Sequence, residues 1–439
     1  MVKVLPGMQF LTIFSISIAP SRMVTSTMTN RIINSAIGFC FGILSCLSAQ
    51  AQIAGGSNYS AFGLGDIIES HGAAFDAVGG TAIGATSPYA INLANPAAWN
   101  AVRATRFQTG FAFRQFTVTD NQGTISQNGG YLQGFSAVFA IDTTRGISAS
   151  FGIAPKTNVQ YAYRISQTPS DPNLATSTLY RGIGGMIGLH LGGAFQILPK
   201  LHLGVMGEYD FGNIEASALT DATSYLSQGK TVITDGLSGG TGKLGLQYTG
   251  VQNLTLGFVV GAGLPMNIFR SSAYKFSSGI SDTTFYDTLR TPLPVELGLG
   301  VGYTINRITL LADFSMKDFS TLTYRTRRSD VSFRRATRIS AGVTVAGSTD
   351  YTSSFLESLG YSFGAGYHEQ YYQIGGVGIN EIYGSLGVQL PVARRVFFDL
   401  AVTAGIRGTT DNNLTRELFG RFTFSVNVGE IWFQPLFRE

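Results

Sequence analysis

From Ala104 to the C-terminus, runs of about ten residues alternate apolar with small or polar side chains, and each run ends in a turn. Leu254, Leu256, Phe258, Val260, Ala262 and Leu264 fall on one face of such a run, with Thr255, Gly257, Gly261 and Gly263 on the other. Leu297, Leu299, Val301, Tyr303 and Ile305 oppose Gly298, Gly300, Gly302 and Thr304. Phe422, Phe424, Val426 and Val428 oppose Arg421, Thr423, Ser425 and Asn427. A period of two is a strand, because successive side chains leave opposite faces of the pleat. A soluble sandwich and a membrane barrel share that period and differ in what the faces hold. Here one face is nearly uncharged, while the other carries His202, Glu208, Asp210, Asp313, Lys317, Asp399, Arg407 and Arg421. A charge at the lipid-facing midplane costs about 2–4 kcal/mol, so the uncharged face belongs in lipid and the charges in a lumen.

The connections point the same way. Tight ones near Asp142 to Arg145, Leu198 to Lys200, Gly250 to Asn253, Asn306 to Arg307 and Pro391 to Arg395 alternate with long ones at 165–181, 214–235, 267–292 and 318–332. Short turns at one end and long loops at the other is the outer-membrane layout. The alternating segments lie near 105–119, 130–142, 146–164, 182–197, 201–213, 236–249, 254–266, 293–305, 308–320, 333–346, 359–371, 379–390, 396–408 and 417–430. The expectation is therefore an all-β chain, a transmembrane antiparallel barrel of about 14 strands, closing near Trp432-Phe433 at the membrane interface. Composition agrees. Only 13% of residues are charged, about half the share of a soluble domain, and 55 of 439 residues are glycine, where ordinary usage gives about 31.

Ahead of the barrel lies a segment with no alternation, Phe75 to Arg106. It is rich in small residues (Gly79, Gly80, Ala82, Gly84, Ala85) and carries one sharp local signal, Asn95-Pro96-Ala97-Ala98. Asn caps helix N-termini, Pro is tolerated at the first helical position and Ala propagates, so a short helix is expected from Pro96, followed by Trp99. Two readings are open: a plug packed in the lumen, or an ordinary leader to the first strand. Further upstream, Arg31, the apolar run Ile32 to Leu47 and Ser48-Ala49-Gln50-Ala51 form a secretory signal cut before Gln52. Met28 is a natural start for it, and lipidation at Cys46 is the alternative processing. The expected division is 1–51 extension and signal, 52–104 plug, 105–439 barrel. Cys40 and Cys46 are the only cysteines, so the mature chain would have no disulfide or thiolate metal site. Lys3, Arg22 and Arg31 fall in the presequence with no acid, leaving 27 basic against 26 acidic residues. That balance is no nucleic-acid footprint.

With Asn95-Pro96-Ala97 running into a glycine-rich alternating body, the chain resembles the FadL-type (OmpP1/FadL/TodX) outer-membrane transport proteins. Its ending is similar to FadL-like proteins of the Bacteroidetes and Chlorobi kind: Gly387-Val388-Gln389-Leu390-Pro391, Gly405-Ile406-Arg407-Gly408-Thr409, Glu417 and Gly429-Glu430-Ile431-Trp432-Phe433. The resemblance implies a 14-stranded barrel with an N-terminal hatch, passive uptake of fatty-acid-like or aromatic compounds, and sideways exit through the wall. The family's lateral gap lies at a kink in the third strand, where this chain has Pro155. A proline there cannot donate to the ladder. Pro155 either interrupts the strand at a gap or begins a loop. Residues Gln52 to Ser57 match no binding motif.

Enzymatic chemistry has no footing: His71, His190, His202 and His368 are scattered, and neither G-x-S-x-G nor H-E-x-x-H occurs. His190 and His202 flank one tight turn and could meet across strands. Arg334, Arg335 and Arg338 form a basic loop flank within reach of lipopolysaccharide phosphates. The expected partners are outer-membrane lipid and lipopolysaccharide and a hydrophobic small-molecule ligand, with no nucleic acid and no cofactor or metal, for a monomer in the outer membrane of a Gram-negative cell. Besides uptake, two roles fit such a barrel: a partner-binding subunit like the shuttle of type IX secretion, and a structural barrel or adhesin. An apolar lumen cavity between plug and wall separates uptake from both.

Overall fold

Fourteen antiparallel strands close on themselves in the computed structural model, which describes residues 55–69, 72–167, 176–222, 229–276, 283–326, 328–350 and 352–432. In chain order they are β1 (Thr105–Thr119), β2 (Thr124–Asp142), β3a (Ile147–Pro155) and β3b (Thr157–Gln167), β4 (Thr176–Leu198), β5 (Leu201–Ala222), β6 (Gly229–Tyr248) and β7 (Leu254–Phe276). There follow β8a (Thr283–Thr291) and β8b (Val295–Ile305), β9 (Ile308–Asp318), β10a (Val331–Phe333) and β10b (Arg335–Val345), β11 (Gly360–Ile374), β12 (Val377–Ala393), β13 (Val396–Gly408) and β14 (Arg416–Glu430). β14 pairs with β1 from Arg416↔Thr119 to Glu430↔Thr105, which closes the wall. Three strands are interrupted once each. β8 breaks at Pro292-Leu293-Pro294, where two residues lack a ladder donor.

The faces divide as lipid requires. Leu132, Leu191, Leu264, Phe363 and Ile382 point out and are 57–72% exposed, whereas Asp210, Asp313, Asp399 and Arg407 point in and are buried. The aromatic Trp432 packs on Phe107 and Phe139 beside the end of β14. Phe433, the presequence with its two cysteines, and His71 lie outside the described residues.

The end-to-end asymmetry is built differently from the sequence expectation. The stretches 214–235 and 267–292, read as loops, are mostly strand: β5 runs to Ala222, β6 starts at Gly229, β7 runs to Phe276 and β8a begins at Thr283. β4 to β7 hold 23, 22, 20 and 23 residues, against the 9–11 or so that cross a bilayer. Roughly ten residues of each overhang one end, a palisade about 30 Å tall. That end also has tight connections, such as Gly375-Gly376 with φ of 56° and 80°. The opposite end has the 14-residue link 346–359 with a short helix, Phe355–Ser358. The palisade, rather than loop length, marks the two ends. We call them the palisade end and the turn end.

Residues 55–69 and 72–104 lie inside this wall. They run from the palisade end, where Tyr59 packs on Tyr372, to the turn end, where Pro96–Ala101 forms a single 3-10 helix. Asn95 Oδ1 accepts from Ala97 N at 3.0 Å as its cap. At three residues per turn its six residues make two turns of the tighter helix, which is used in such short pieces. Inward-facing wall glycines make room: a Cβ on Gly300 would overlap Gly84 N, and one on Gly364 would overlap Val78.

Candidate functional site

The lumen is filled in three tiers. At the palisade end an apolar tier gathers Tyr59, Leu64, Tyr161, Ile268, Tyr371 and Tyr372, all buried. Tyr371 Oη accepts from Leu64 N at 2.9 Å and donates to Gly65 O at 2.8 Å. At the turn end Ile91, Leu93, Trp99, Val138 and Met206 form a second apolar tier, with Trp99 Nε1 donating to Asn92 O at 2.7 Å.

Between them lies a belt of charge that ties the inner segment to the wall. Asp66 accepts from Arg407 Nη1 at 2.8 Å and Arg114 Nη1 at 3.3 Å. Arg407 also binds Glu381 at 2.7 Å. Glu69 accepts from Lys317 at 2.9 Å and Asp76 from Arg421 at 3.1 Å. Glu417 takes Ser57 Oγ and Asn58 N, each at 2.7 Å. Asp313 receives three successive backbone amides, Ala82 at 2.5 Å, Ile83 at 2.7 Å and Gly84 at 3.2 Å. Burial alone would raise the Glu69 carboxyl, but Lys317, Arg338 and His368 hold it well below the usual carboxylate range. Two cavities remain in the belt. One of about 70 Å³ is lined by Asp66, Glu69, Arg114, Arg338, Arg407 and Arg421, and one of about 90 Å³ by Lys156, Glu208, Lys243, Glu296, Lys317 and Phe319. A third, of about 290 Å³, lies towards the turn end among Ala74, Phe75, Val78, Tyr89, Leu311 and Leu400.

Among the described residues the wall breaks between β2 and β3b. β2 pairs with β3a only from Phe135 to Asp142. Among the described residues no ladder joins its remaining part, Thr124 to Gly134, to β3b. Lys156 N donates to Met186 O at 2.8 Å on the β4 side, so by alternation Pro155 faces its missing donor towards β2. β3b turns inward and its free edge is taken by the inner segment: Gly56 N donates to Gln160 O and Ile68 N to Lys156 O, both at 2.9 Å. Asp66 and Ile67 pair with Asn158 and Thr157. Glycines permit the turn. Gly185 has φ +141° and a Cβ there would overlap Thr157 O, and Gly134 has φ +85°. Gln127 spans the break, donating to Ala162 O at 2.9 Å.

The sequence-selected residues thus separate by tier. Arg407 and Asp313 hold the inner segment directly. Glu208 binds Lys156 at 2.5 Å, and both Glu208 and Asp210 accept from Thr241 Oγ1. Asp399 near the turn end is held by Gln389 at 2.8 Å and Asn427 at 2.6 Å. His202 sits by Gly146. Three expectations need correction. His190 and His202 do not meet, because the register pairs His190 with Glu208 and His202 with Gln196. Arg338 is no loop flank: it is buried and donates to Gly80 O at 3.2 Å. Arg334 is turned onto its own sheet, donating to Gln370 O and Asn380 Oδ1. Asp66, Glu69, Gly134 and Gly185 were missed by sequence reasoning. The carboxylates stand in a stretch without pattern, and the glycines look like every other small inward residue. Among the described residues no three His, Cys, Asp or Glu side chains gather as a metal site.

The fold has solved neighbours. A Pseudomonas aeruginosa FadL homologue is similar at TM-score 0.60 and 11% identity over 83% of this chain and 99% of that one. The P. putida toluene transporter TodX is similar at 0.54 and 16%, over 84% and 100%. The monoaromatic hydrocarbon channel CymD gives 0.54 and 14%, over 85% and 100%. At such identities the likeness establishes the FadL-type outer-membrane barrel fold. No curated protein matches the chain in sequence. One family model, BamG, matches residues 28–436, and the chain therefore belongs to the BamG family.

Proposed function

We propose that this chain is an outer-membrane barrel, closed at rest, that acts by docking other proteins at its surface. The palisade faces the cell exterior and the turn end the periplasm. The observation that carries this reading is the charged belt. A cavity of about 150 Å³ lined by apolar side chains is what benzene occupies in a protein interior. The two belt cavities are about 70 and 90 Å³, the first lined mainly by charged side chains and the second by ion pairs together with Leu64, Ile67, Met186, Leu293 and Phe319. An apolar molecule crossing there must displace buried ion pairs, and breaking one such pair costs about 3–5 kcal/mol. The overhanging palisade supplies the surface for docking.

A second reading is uptake of hydrophobic small molecules, fatty-acid-like or aromatic, as the names of the toluene and hydrocarbon channels suggest. It is favoured by the break between β2 and β3b and by the mainly apolar cavity of about 290 Å³ between the inner segment and the wall, the feature expected of uptake and of neither other role. Native mass spectrometry of the protein purified from its own outer membrane, with extraction of bound small molecules, decides between them. A protein partner retained on an otherwise empty barrel supports docking. An apolar molecule held at one per chain, and lost on deleting residues 75–99, supports uptake.

A further inference from the structure

Asp399 is a buried carboxylate that no cation balances. It is 2% exposed, and Gln389 Nε2 at 2.8 Å and Asn427 Nδ2 at 2.6 Å donate to its two oxygens. Both donors are neutral amides. Among the described residues no Lys, Arg or His comes within ion-pair distance of it. By contrast Asp66, Glu69, Asp76, Glu208, Asp235 and Glu381 each have such a partner. A carboxylate has about four acceptor positions, so about two remain here. Gln389 gives an N–H to Asp399, which leaves its carbonyl oxygen as a further acceptor beside it.

Both residues border the cavity of about 290 Å³ on the turn-end side of the belt. Facing them, the inner segment contributes Phe75, Val78 and Tyr89, and Leu311 of the wall packs with Phe75 and Val78 in one buried cluster. Thr344 and Ser362, also on the wall side, bond each other at 3.2 Å and add no charge. One side of the cavity is therefore apolar, and the other offers acceptors around one uncompensated negative charge. A ligand pocket has this make-up, a mostly apolar lining with a few placed polar groups. The volume is about twice that of the cavity that holds benzene, room for one aromatic ring and a short alkyl chain.

We infer that this cavity binds a small amphiphilic cation, a primary amine carrying an aromatic or alkyl body. An ammonium donates three hydrogen bonds and accepts none, which matches free acceptors grouped around one charge. A carboxylate left unpaired at low dielectric is costly, and an ammonium removes that cost. The body of the amine lies on Phe75, Val78 and Leu311. A fatty acid is rejected, because its own carboxylate would stand against that of Asp399. A neutral hydrocarbon fills the apolar side and leaves Asp399 as it is. The inference goes beyond both readings of function and rests on neither, since a molecule held on the turn-end side of the belt has not crossed it.

Equilibrium dialysis of the full chain in detergent at neutral pH tests this, with 4-phenylbutylamine as the probe and 4-phenylbutan-1-ol as its neutral counterpart. Ala74 also lines the cavity, so an Ala74→Leu variant fills it and serves as the blank for uptake by the micelle. The amine should bind at one per chain and about tenfold or more tighter than the alcohol, a comparison that needs no variant. Asp399→Asn keeps the shape and removes the charge. It should bring the preference below about twofold while the barrel keeps its heat-modifiable migration on gels. Equal affinity for the two probes overturns the inference, as does binding of the amine no greater than in the blank. A preference that survives Asp399→Asn also overturns it, because the charge that selects the amine would then lie elsewhere.

Discussion

Asp66→Asn is the sharpest perturbation of the belt. Asp66 is 4% exposed and shared between Arg407 at 2.8 Å and Arg114 at 3.3 Å. Removing its charge leaves Arg407 with Glu381, at 2.7 Å. Arg114 keeps its hydrogen bond to Asn158 Oδ1 but loses its carboxylate. Breaking a buried pair costs about 3–5 kcal/mol because a charge is left unpaired. The surviving partners place this case near 3 kcal/mol, about a hundredfold in an equilibrium constant. The loss is local, since the only ladder through Asp66 is its two-residue pairing with β3b. Amide exchange of residues 58–68 should therefore accelerate about a hundredfold while exchange in β11 to β14 stays unchanged. Asp399→Asn, whose partners Gln389 and Asn427 both belong to the wall, is the control and should leave 58–68 alone. An acceleration below about threefold for Asp66→Asn would refute the argument that the belt fastens the inner segment.

Other outcomes follow from the same contacts. Asp313→Ala strands the amides of Ala82, Ile83 and Gly84 and should destabilise that stretch by about 3 kcal/mol, read as faster exchange at those three residues. Gly185→Ala puts a Cβ onto Thr157 O at a left-handed backbone position and should cost about 2 kcal/mol, lowering the temperature at which the barrel loses its heat-modifiable form. Glu69 is held below its ordinary range by Lys317 and its neighbours, so its contribution is complete above the unfolded carboxyl value of about 4.3. It is lost as pH falls further towards the depressed folded value. Exchange near Glu69 should accelerate only below about pH 4, and Lys317→Gln should remove most of that pH dependence.

How much was legible depended on whether lipid imposed a pattern. Where a strand crosses the bilayer, apolar residues must alternate with lumen-facing ones, and segments such as 254–266 could be read directly. Above the bilayer that demand lapses. Ser217, Thr220, Thr231 and Ser272 then look like loop residues although they sit in the ladder. The cap at Asn95 was readable because it is a local hydrogen bond. Pro155 was readable as an interruption because proline lacks a donor. What was not readable is where β3b goes next, since Gly134 and Gly185 matter only through the backbone opposite each of them. Arg407 and Asp313 were visible as charges on inward faces. Their partners Asp66 and Ala82 to Gly84 come from a segment without periodicity, and only the fold brings them together.

The central claim is that the lumen is closed at rest. Transfer of labelled toluene and of a labelled long-chain fatty acid into proteoliposomes, at matched lipid and protein load, tests it most directly. The account predicts rates equal to those of vesicles carrying a plugged barrel of unrelated sequence, and leakage only after Asp66→Asn loosens the belt. Saturable uptake by the unaltered protein, faster than that baseline, would contradict it.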